Sequence, residues 1–76
     1  MFVKIKGKII NIDNFDSIEK EDRETCYSDC FGIVFNWVPE PECDQLFFFS
    51  TEEKRDETFK KLIKAMELEK NFVDLD

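Results

Sequence analysis

The hydrophobic pattern changes its period once along the chain, near Ser50, and this change limits the folds that the sequence can adopt. Before Ser50 apolar and polar residues alternate as they do in β-strands, whereas after it they recur with the period of an amphipathic α-helix. Ser50 and Glu53 match a capping box, in which the serine oxygen accepts an amide of the first helical turn. A single apolar stripe with i, i+3, i+4 and i+7 spacing follows, formed by Phe59, Leu62, Ile63 and Met66. The pattern therefore predicts a C-terminal helix over residues 51–69.

The first 24 residues and the last few residues of the sequence predict short strands. Residues 2–12 alternate on both sides of Gly7, which indicates a hairpin with its turn at this glycine; a bulge within one longer strand is the alternative. Residues 15–21 predict a half-exposed strand, with a short helix as the alternative, and residues 22–24 predict the loop after it. Residues 72–75 predict a docked tail or a last short strand.

The central part of the chain has the strongest alternation. Residues 26–38 predict a strand that bends at residues 28–29 or at Gly32, because an unbroken strand of this length would extend for about 43 Å, more than a small sheet can match. Residues 45–49, QLFFF, predict a brief strand that is apolar on both faces. One face can meet the helix, and the other then needs a second cover, either a partner or another copy of the chain.

These segments predict a single domain over residues 1–76 with an α+β fold. We expect an antiparallel sheet of four to five strands, with the C-terminal amphipathic helix packed on one face. The apolar stripe of the helix, including Met66, is predicted to form one side of the core. The sheet side is predicted to consist of Ile33, Phe35, Phe47 and Phe49. The N-terminus does not have the pattern of a signal peptide, and no stretch has the roughly 20 apolar residues that span a bilayer. We therefore expect a soluble, cytoplasmic protein with no membrane contact.

The acidic charge is concentrated in the middle of the chain. The net charge is −7, and residues 9–53 hold twelve acidic residues against only Lys20 and Arg23. A negative field disfavours direct binding to nucleic acid, because such binding draws its affinity from clustered lysine and arginine. We therefore expect a protein partner with a basic surface.

The composition argues against an enzyme. The chain has no histidine, which removes the usual general base and the commonest neutral metal ligand. Its only glycines, Gly7 and Gly32, cannot form a glycine-rich loop that binds phosphate. We therefore expect no catalytic residue and no cofactor.

The cysteines are three in number, Cys26, Cys30 and Cys43, and this odd count indicates reduced thiols. A zinc site that combines the three sulfurs with Asp44 is the alternative. On an extended strand Cys26 and Cys30 lie about 13 Å apart, so that a shared metal needs a turn at residues 28–29. We assign no metal ligand.

Trp37 lies at the end of the central strand beside an acidic, proline-stiffened loop, residues 39–42. Tryptophan is enriched among interface hot spots and is also a common core residue, so either role fits. The candidate partner-binding residues are Trp37, Glu40, Glu42 and Asp44. The acidic residues form either a solvated surface or, where residues 13–24 and 40–44 converge, a surface that imitates the phosphates of a nucleic acid.

The sequence resembles small uncharacterised bacterial and phage proteins, built as a β-meander closed by one helix, in its start FVKIKGKIINIDNFDSIEK and in the helix segments STEEK and FKKLIK. Small acidic phage proteins include inhibitors of host defence, anti-CRISPR proteins among them, which act as stoichiometric binders. The resemblance is one of pattern, size and charge, and it identifies no functional residue. It implies a non-enzymatic inhibitor of a basic, nucleic-acid-binding host protein in the host cytoplasm. The alternatives are a homo-oligomer that sequesters a small ligand and a Cys-ligated zinc domain.

Overall fold

The computed structural model describes residues 1–23 and 30–76 of the chain. These residues form six β-strands and one α-helix, with short 3-10 helices at Ile12–Asn14 and Pro41–Cys43. The main elements follow one another in the order β1 (Phe2–Ile5), β2 (Lys8–Asn11), β3 (Ser17–Asp22), β4 (Phe31–Asn36), β5 (Gln45–Phe49), α1 (Glu52–Glu67) and β6 (Phe72–Asp74). The predicted α+β class with one C-terminal helix is confirmed.

The strands divide into two three-stranded sheets, which the sequence did not predict. One sheet has the order β2-β1-β6 and the other the order β3-β4-β5. The pairs among the described strands are antiparallel except for β1 and β6, which run parallel with Val3 opposite Val73. The prediction of one antiparallel sheet of four to five strands is therefore matched only roughly. Because β1 is paired on both sides, by β2 and by the C-terminal strand, it offers no edge to the strands that follow.

β1 and β2 form the predicted hairpin around Gly7. Lys6 and Gly7 have positive φ angles of 51° and 77°, as a two-residue type I′ turn requires. The side-chain carboxylate of Asp76 accepts hydrogen bonds from the amides of both turn residues, and the bond from the Gly7 amide is 2.9 Å long. The alternative of a bulge within one long strand is therefore wrong, and the C-terminal segment holds the turn in place.

The other predicted strands are found with small changes in their bounds. β3 begins two residues later than the strand predicted for residues 15–21 and ends one residue later, so that Asp22, predicted as the first residue of the loop, belongs to the strand. β5 has the predicted bounds, and β6 makes the C-terminal tail a short strand. β4 keeps a continuous register through Gly32 and ends at Asn36, so that Trp37 lies just beyond the strand. The predicted bend at residues 28–29 lies outside the described residues.

The start of α1 differs by one residue from the predicted cap. Thr51 is the N-cap, because its backbone is extended and its Oγ1 accepts a hydrogen bond from the amide of Lys54 at 3.1 Å. The predicted cap at Ser50 is wrong. Ser50 and Thr51 both have side chains that can cap a helix, and it is the Thr51 hydroxyl that binds an amide of the first turn. The helix ends at Glu67, earlier than the predicted residue 69. Glu69 has a φ of 53°, a left-handed conformation that terminates helices.

One core cluster joins both sheets and α1. It contains all four predicted sheet residues together with side chains from β1, β2, β6 and the helix. Its members are Val3, Ile5, Ile10, Ile12, Ile33, Phe35, Phe47, Phe49, Leu62, Ala65, Val73 and Leu75. Burial of this apolar surface is the main contribution to the stability of the fold.

α1 presents to the core only part of the apolar stripe that its sequence predicts. The buried residues of the helix are Arg55, Thr58, Leu62 and Ala65. From the predicted stripe, Leu62 is fully buried and Phe59 packs against the core, whereas Met66 is 41% exposed and its assignment to the core is wrong. The reason is that Arg55 lies inward, where its guanidinium binds carboxylates of β3 and α1. A charged residue thus occupies a position that hydrophobicity alone assigns to solvent.

Candidate protein-binding surface

Trp37 and the acidic loop after it lie at the end of β4. The Trp37 side chain is 36% exposed, and Glu40 and Glu42 are exposed to solvent. Asp44 is half-buried, and its Oδ1 accepts a hydrogen bond from the amide of Trp37 at 2.6 Å. The chain therefore folds back after β4, so that Asp44, beyond the loop, holds the backbone of Trp37, which precedes it.

A second carboxylate reaches the same place from another part of the chain. Asp16, just before β3, accepts a hydrogen bond at Oδ2 from the amide of Val38 at 2.8 Å. Its own amide donates to the carbonyl of Asn36 at 2.8 Å. One carboxylate from each acidic segment thus lies at the end of β4, where Asp16 and Asp44 bind the amides of consecutive residues. The rest of the first segment does not lie here, because Asp22 pairs with Phe31 at the start of β4. These charge-assisted hydrogen bonds fix the backbone of the loop.

The loop is a compact turn with internal hydrogen bonds. The Glu40 amide donates to the Trp37 carbonyl at 3.2 Å, and the Cys43 amide donates to the Glu40 carbonyl at 2.8 Å. Glu40 also accepts a hydrogen bond at Oε2 from the Cys43 thiol, at 3.3 Å. This hydrogen bond, followed by burial and the nearby carboxylates, raises the pKa of Cys43. The thiol therefore stays protonated and is a poor nucleophile and a poor metal ligand.

Three shallow grooves adjoin one another, and Phe15 lines two of them. The first is lined by Phe15 and Trp37, and the second by Trp37 and Asp44. The third extends from Phe15 to the C-terminal half of α1, where Met66 lines it. We call these grooves together the Phe15 surface; its apolar and acidic residues are Ile12, Asp13, Phe15, Asp16, Ile18, Trp37, Val38, Asp44, Ile63 and Met66. Within the described part of the chain, no lysine or arginine lines these grooves.

Phe15 connects this surface to the core. Its ring packs against Phe35 with the centroids 5.9 Å apart, and Phe35 contacts Phe47 edge-on at 5.8 Å. The position of Phe15 is therefore set by the core before any partner binds, which lowers the ordering cost of binding. Sequence reasoning did not single out Phe15 or Ile18 as functional residues. The sequence does contain a feature that could have identified them, since both are isolated apolar residues in an otherwise polar stretch.

α1 lies along β3 in the opposite direction, and ion pairs join the two elements at one end. Arg55 on the first turns of the helix binds Asp22 at the end of β3. Next along the strand, the Lys20 ammonium lies 3.0 Å from Asp56, which also accepts a 2.7 Å hydrogen bond from Arg55 Nε. These donors, Arg55 first and Lys20 second, hold the pKa of Asp56 below its usual range. At the other end Ile18 lines the third groove. The ion pairs and the apolar groove therefore lie at opposite ends of the contact between β3 and α1.

The cysteines differ from the sequence expectation. Cys30 is disulfide-bonded, so the expectation that it is a reduced thiol is wrong. Cys43 is a free thiol, and Cys26 lies outside the described residues. In residues 1–23 and 30–76, no three His, Cys, Asp or Glu side chains lie close enough to hold a metal ion. Because a disulfide sulfur is not a thiolate, the zinc hypothesis loses Cys30 as a ligand.

No family model, curated protein or solved structure matches this chain. In the described ranges, no helix has the length and apolar character to cross a membrane. The geometry of the Phe15 surface is thus the basis on which a function can be proposed.

Proposed function

We propose that this chain is a non-enzymatic protein that binds a basic segment of another protein, one to one, through the Phe15 surface. The observation that carries the proposal is a set of adjoining apolar grooves in which every charged lining residue is acidic. An apolar side chain flanked by lysine or arginine fits this surface, since the side chain fills a groove while the cation meets Asp16. A phosphate backbone fits it poorly, because the carboxylates repel it.

The predicted binding residues have different roles in this proposal. Trp37 supplies an exposed aromatic ring between two grooves. Glu40 and Glu42 are exposed carboxylates that attract a basic partner over distance. Asp44 holds the amide of Trp37 and acts on the partner through the position of that ring.

The partner class that fits this chemistry is a nucleic-acid-binding protein, whose basic site accepts the acidic surface in place of phosphates. The net charge of −7 favours rapid association with such a site. The similarity in size and charge to phage inhibitors of host defence leads us to propose a stoichiometric inhibitor that acts in the host cytoplasm. The alternative reading of the acidic residues, a solvated surface, leaves the apolar grooves between them unexplained.

Trp37 is the only tryptophan of the chain and therefore reports on occupancy of the surface. We expect a synthetic peptide with a leucine flanked by arginines to change the fluorescence of Trp37, and the affinity to fall as salt is raised. The same peptide with glutamates in place of the arginines serves as the control and is expected to leave the fluorescence unchanged. Binding of the arginine peptide with no response from Trp37 would place the contact elsewhere and contradict the proposal.

Two charge-matched double variants test the acidic loop. Glu40→Gln with Glu42→Gln removes two charges beside Trp37, whereas Glu52→Gln with Glu53→Gln removes two exposed charges at the start of α1. We expect the loop variant to weaken peptide binding roughly three- to tenfold, as the loss of two exposed ion pairs implies. We expect the helix variant to have a smaller effect through net charge alone. Equal effects of the two variants would show that the loop has no specific role.

A second candidate is self-association, which the exposed face of the β2-β1-β6 sheet favours. Phe2, Ile9 and Phe72 on this sheet are 52%, 61% and 49% exposed, and Phe2 lies directly opposite Phe72. Exposed apolar patches of this kind mark contact surfaces. Light scattering of the wild type and of Ile9→Lys tests the candidate: a dimer that the lysine disrupts supports it, and a monomeric wild type at high concentration rejects it.

A further inference from the structure

β3 is an edge strand, with one side unpaired within the described part of the chain. Its sheet has the order β3-β4-β5, so that β4 occupies one side only. Ile18 is half-buried, and the other five residues of β3 are exposed. The amide and carbonyl groups on the unpaired side of such a strand can bind a further strand.

The hydrogen bond of Arg23 defines which amides of β3 face the free side. The Arg23 amide donates to the Cys30 carbonyl at 2.8 Å, which continues the register in which Asp22 lies opposite Phe31. In an antiparallel pair the residues directed at the neighbouring strand alternate with those directed away from it. Residues 19, 21 and 23 are therefore directed at β4, whereas the amides of residues 18, 20 and 22 face the free side.

The side chains of β3 alternate between two different faces at this edge. Ile18 lines the groove with Ile63 and Met66 on the side of α1. Glu19 and Glu21 lie on the opposite face, because successive side chains of a strand alternate. Lys20 and Asp22 share the α1 side with Ile18 and are paired there with Asp56 and Arg55. A strand added here therefore meets carboxylates on one face, and on the other it meets these ion pairs and the apolar groove at Ile18.

A second copy of the chain is the wrong occupant for this edge. Two β3 strands paired with each other would bring Glu19 and Glu21 of both copies to neighbouring strands, where like charges are destabilising. The net charge of −7 on each copy adds to the repulsion. Lysine or arginine at alternate positions of the incoming strand changes the same contact into attraction.

We propose that β3 accepts an extended segment of the partner as a fourth strand of its sheet, with basic side chains beside Glu19 and Glu21 and apolar side chains over Ile18 and Met66. The inference rests on the proposed function for the basic character of the partner, and it adds how that partner binds. Hydrogen bonds to the free backbone groups of β3 supply affinity for any extended chain, and the alternation of basic and apolar side chains supplies specificity.

Amide hydrogen exchange measured by NMR tests this mode of binding directly. The probe is a peptide of alternating lysine and valine with the same six-residue length as β3, and the control is the same peptide methylated at every amide nitrogen. We expect the first peptide to slow the exchange of the Ile18 and Lys20 amides at least tenfold, because these amides gain a hydrogen-bond partner. We expect the methylated peptide, which keeps the charges but has no amide donors and is blocked from strand pairing, to give no protection.

The outcomes separate this inference from the proposed function. Protection of the Ile18 and Lys20 amides supports strand addition. If these amides are protected and the fluorescence of Trp37 does not change, the proposed function fails while the inference holds. A response of Trp37 without protection in β3 overturns the inference and leaves the proposed function intact. If neither peptide binds, or if both bind equally well without protection, strand addition is rejected.

Two sets of variants give a second test. Lys20→Pro and Lys20→Ala lose the same contacts with Asp56 and the Phe59 ring, but only the proline removes an amide from the free side, and it leaves the bonds to β4 intact. We expect Lys20→Pro to bind the lysine–valine peptide roughly tenfold more weakly than Lys20→Ala. In the double variant Glu19→Lys with Glu21→Lys, which leaves the backbone unchanged, we expect the preference to change to a glutamate–valine peptide. Retention of the original preference by that variant overturns the proposal.

Discussion

Replacement of Arg55 tests how α1 is attached to the sheet. The residue is 3% exposed, although it carries a full positive charge. Its guanidinium binds Asp22 and Asp56, lies 3.3 Å from the carbonyl of Gly32, and has its centre 5.7 Å from the ring centroid of Phe31. Arg55→Ala removes all of these contacts, and Arg55→Met keeps most of the apolar stem without the charge.

The size of the effect follows from the exposure of the two carboxylates. Two hydrogen bonds to charged groups contribute about 1.5 to 3 kcal/mol each when both partners are buried. The side chains of Asp22 and Asp56 are 51% and 42% exposed, so that water replaces much of what they lose. Halving the sum and adding about 1 kcal/mol for the packing of the stem gives a loss of about 2.5 to 4 kcal/mol for Arg55→Ala. For Arg55→Met we expect about 2 kcal/mol, because its stem still packs.

Urea unfolding at constant pH, followed by both Trp37 fluorescence and far-ultraviolet circular dichroism, measures these losses. Lys54→Ala is the matched control, since Lys54 is the exposed neighbour in the same helical turn and its loss is expected to change stability by no more than about 0.5 kcal/mol. A loss for Arg55→Ala that equals that of Lys54→Ala would refute the role assigned to the buried guanidinium. Equal losses for Arg55→Ala and Arg55→Met would refute the contribution of the stem.

Three further changes have definite expected outcomes. The pKa of Asp76 is lowered, first by the hydrogen bond from an amide of the hairpin turn, so its stabilising effect is present above the unfolded value of about 3.9 and is lost as the pH falls through the lowered value. Asp76→Asn is therefore expected to reduce the fall in melting temperature between about pH 5 and pH 2, and an unchanged acid profile would contradict this. Gly32→Ala is expected to destabilise the protein by about 1 to 3 kcal/mol in urea unfolding, because its new Cβ would lie 2.4 Å from the Glu21 carbonyl oxygen; wild-type stability would show that the strands can separate without cost. Glu40→Gln is expected to lower the pKa of Cys43, and so to speed its alkylation by iodoacetamide near neutral pH, with the modified site identified by mass spectrometry; an equal or slower rate would exclude Glu40 as the cause.

The parts of the fold that the sequence predicted are those that local pattern controls. The hairpin at Gly7, the strand at residues 45–49 and the C-terminal helix all depend on periodicity and turn chemistry within a few residues. The division into two sheets was not predictable in this way, because it depends on the pairing of β1 with β6 across almost the whole chain. The inward position of Arg55 was missed for a related reason, since its acidic partner on β3 is distant in sequence.

The candidate site shows the same limit. The exposed loop after Trp37 was predicted from its two prolines and its acidic residues, which are local signals. The contribution of Asp16 and Phe15 was not predicted, because both reach the loop only through the pairing of β3 with β4. Met66 was assigned to the core by its helical spacing, whereas the rotation of α1 places it in a groove.

The position of β6 beside β1 has a consequence for the order in which the chain folds. β1 can pair with β2 within microseconds of its synthesis, because only the two-residue turn separates them. Its other side stays open until residues 72–74 have left the ribosome, since Phe2 pairs with Phe72 and Lys4 with Asp74. Closing so long a loop is the slowest kind of contact for a small domain to make. Until that pairing forms, the chain carries an apolar, half-paired hairpin, and in this interval it is most open to chaperones and to aggregation.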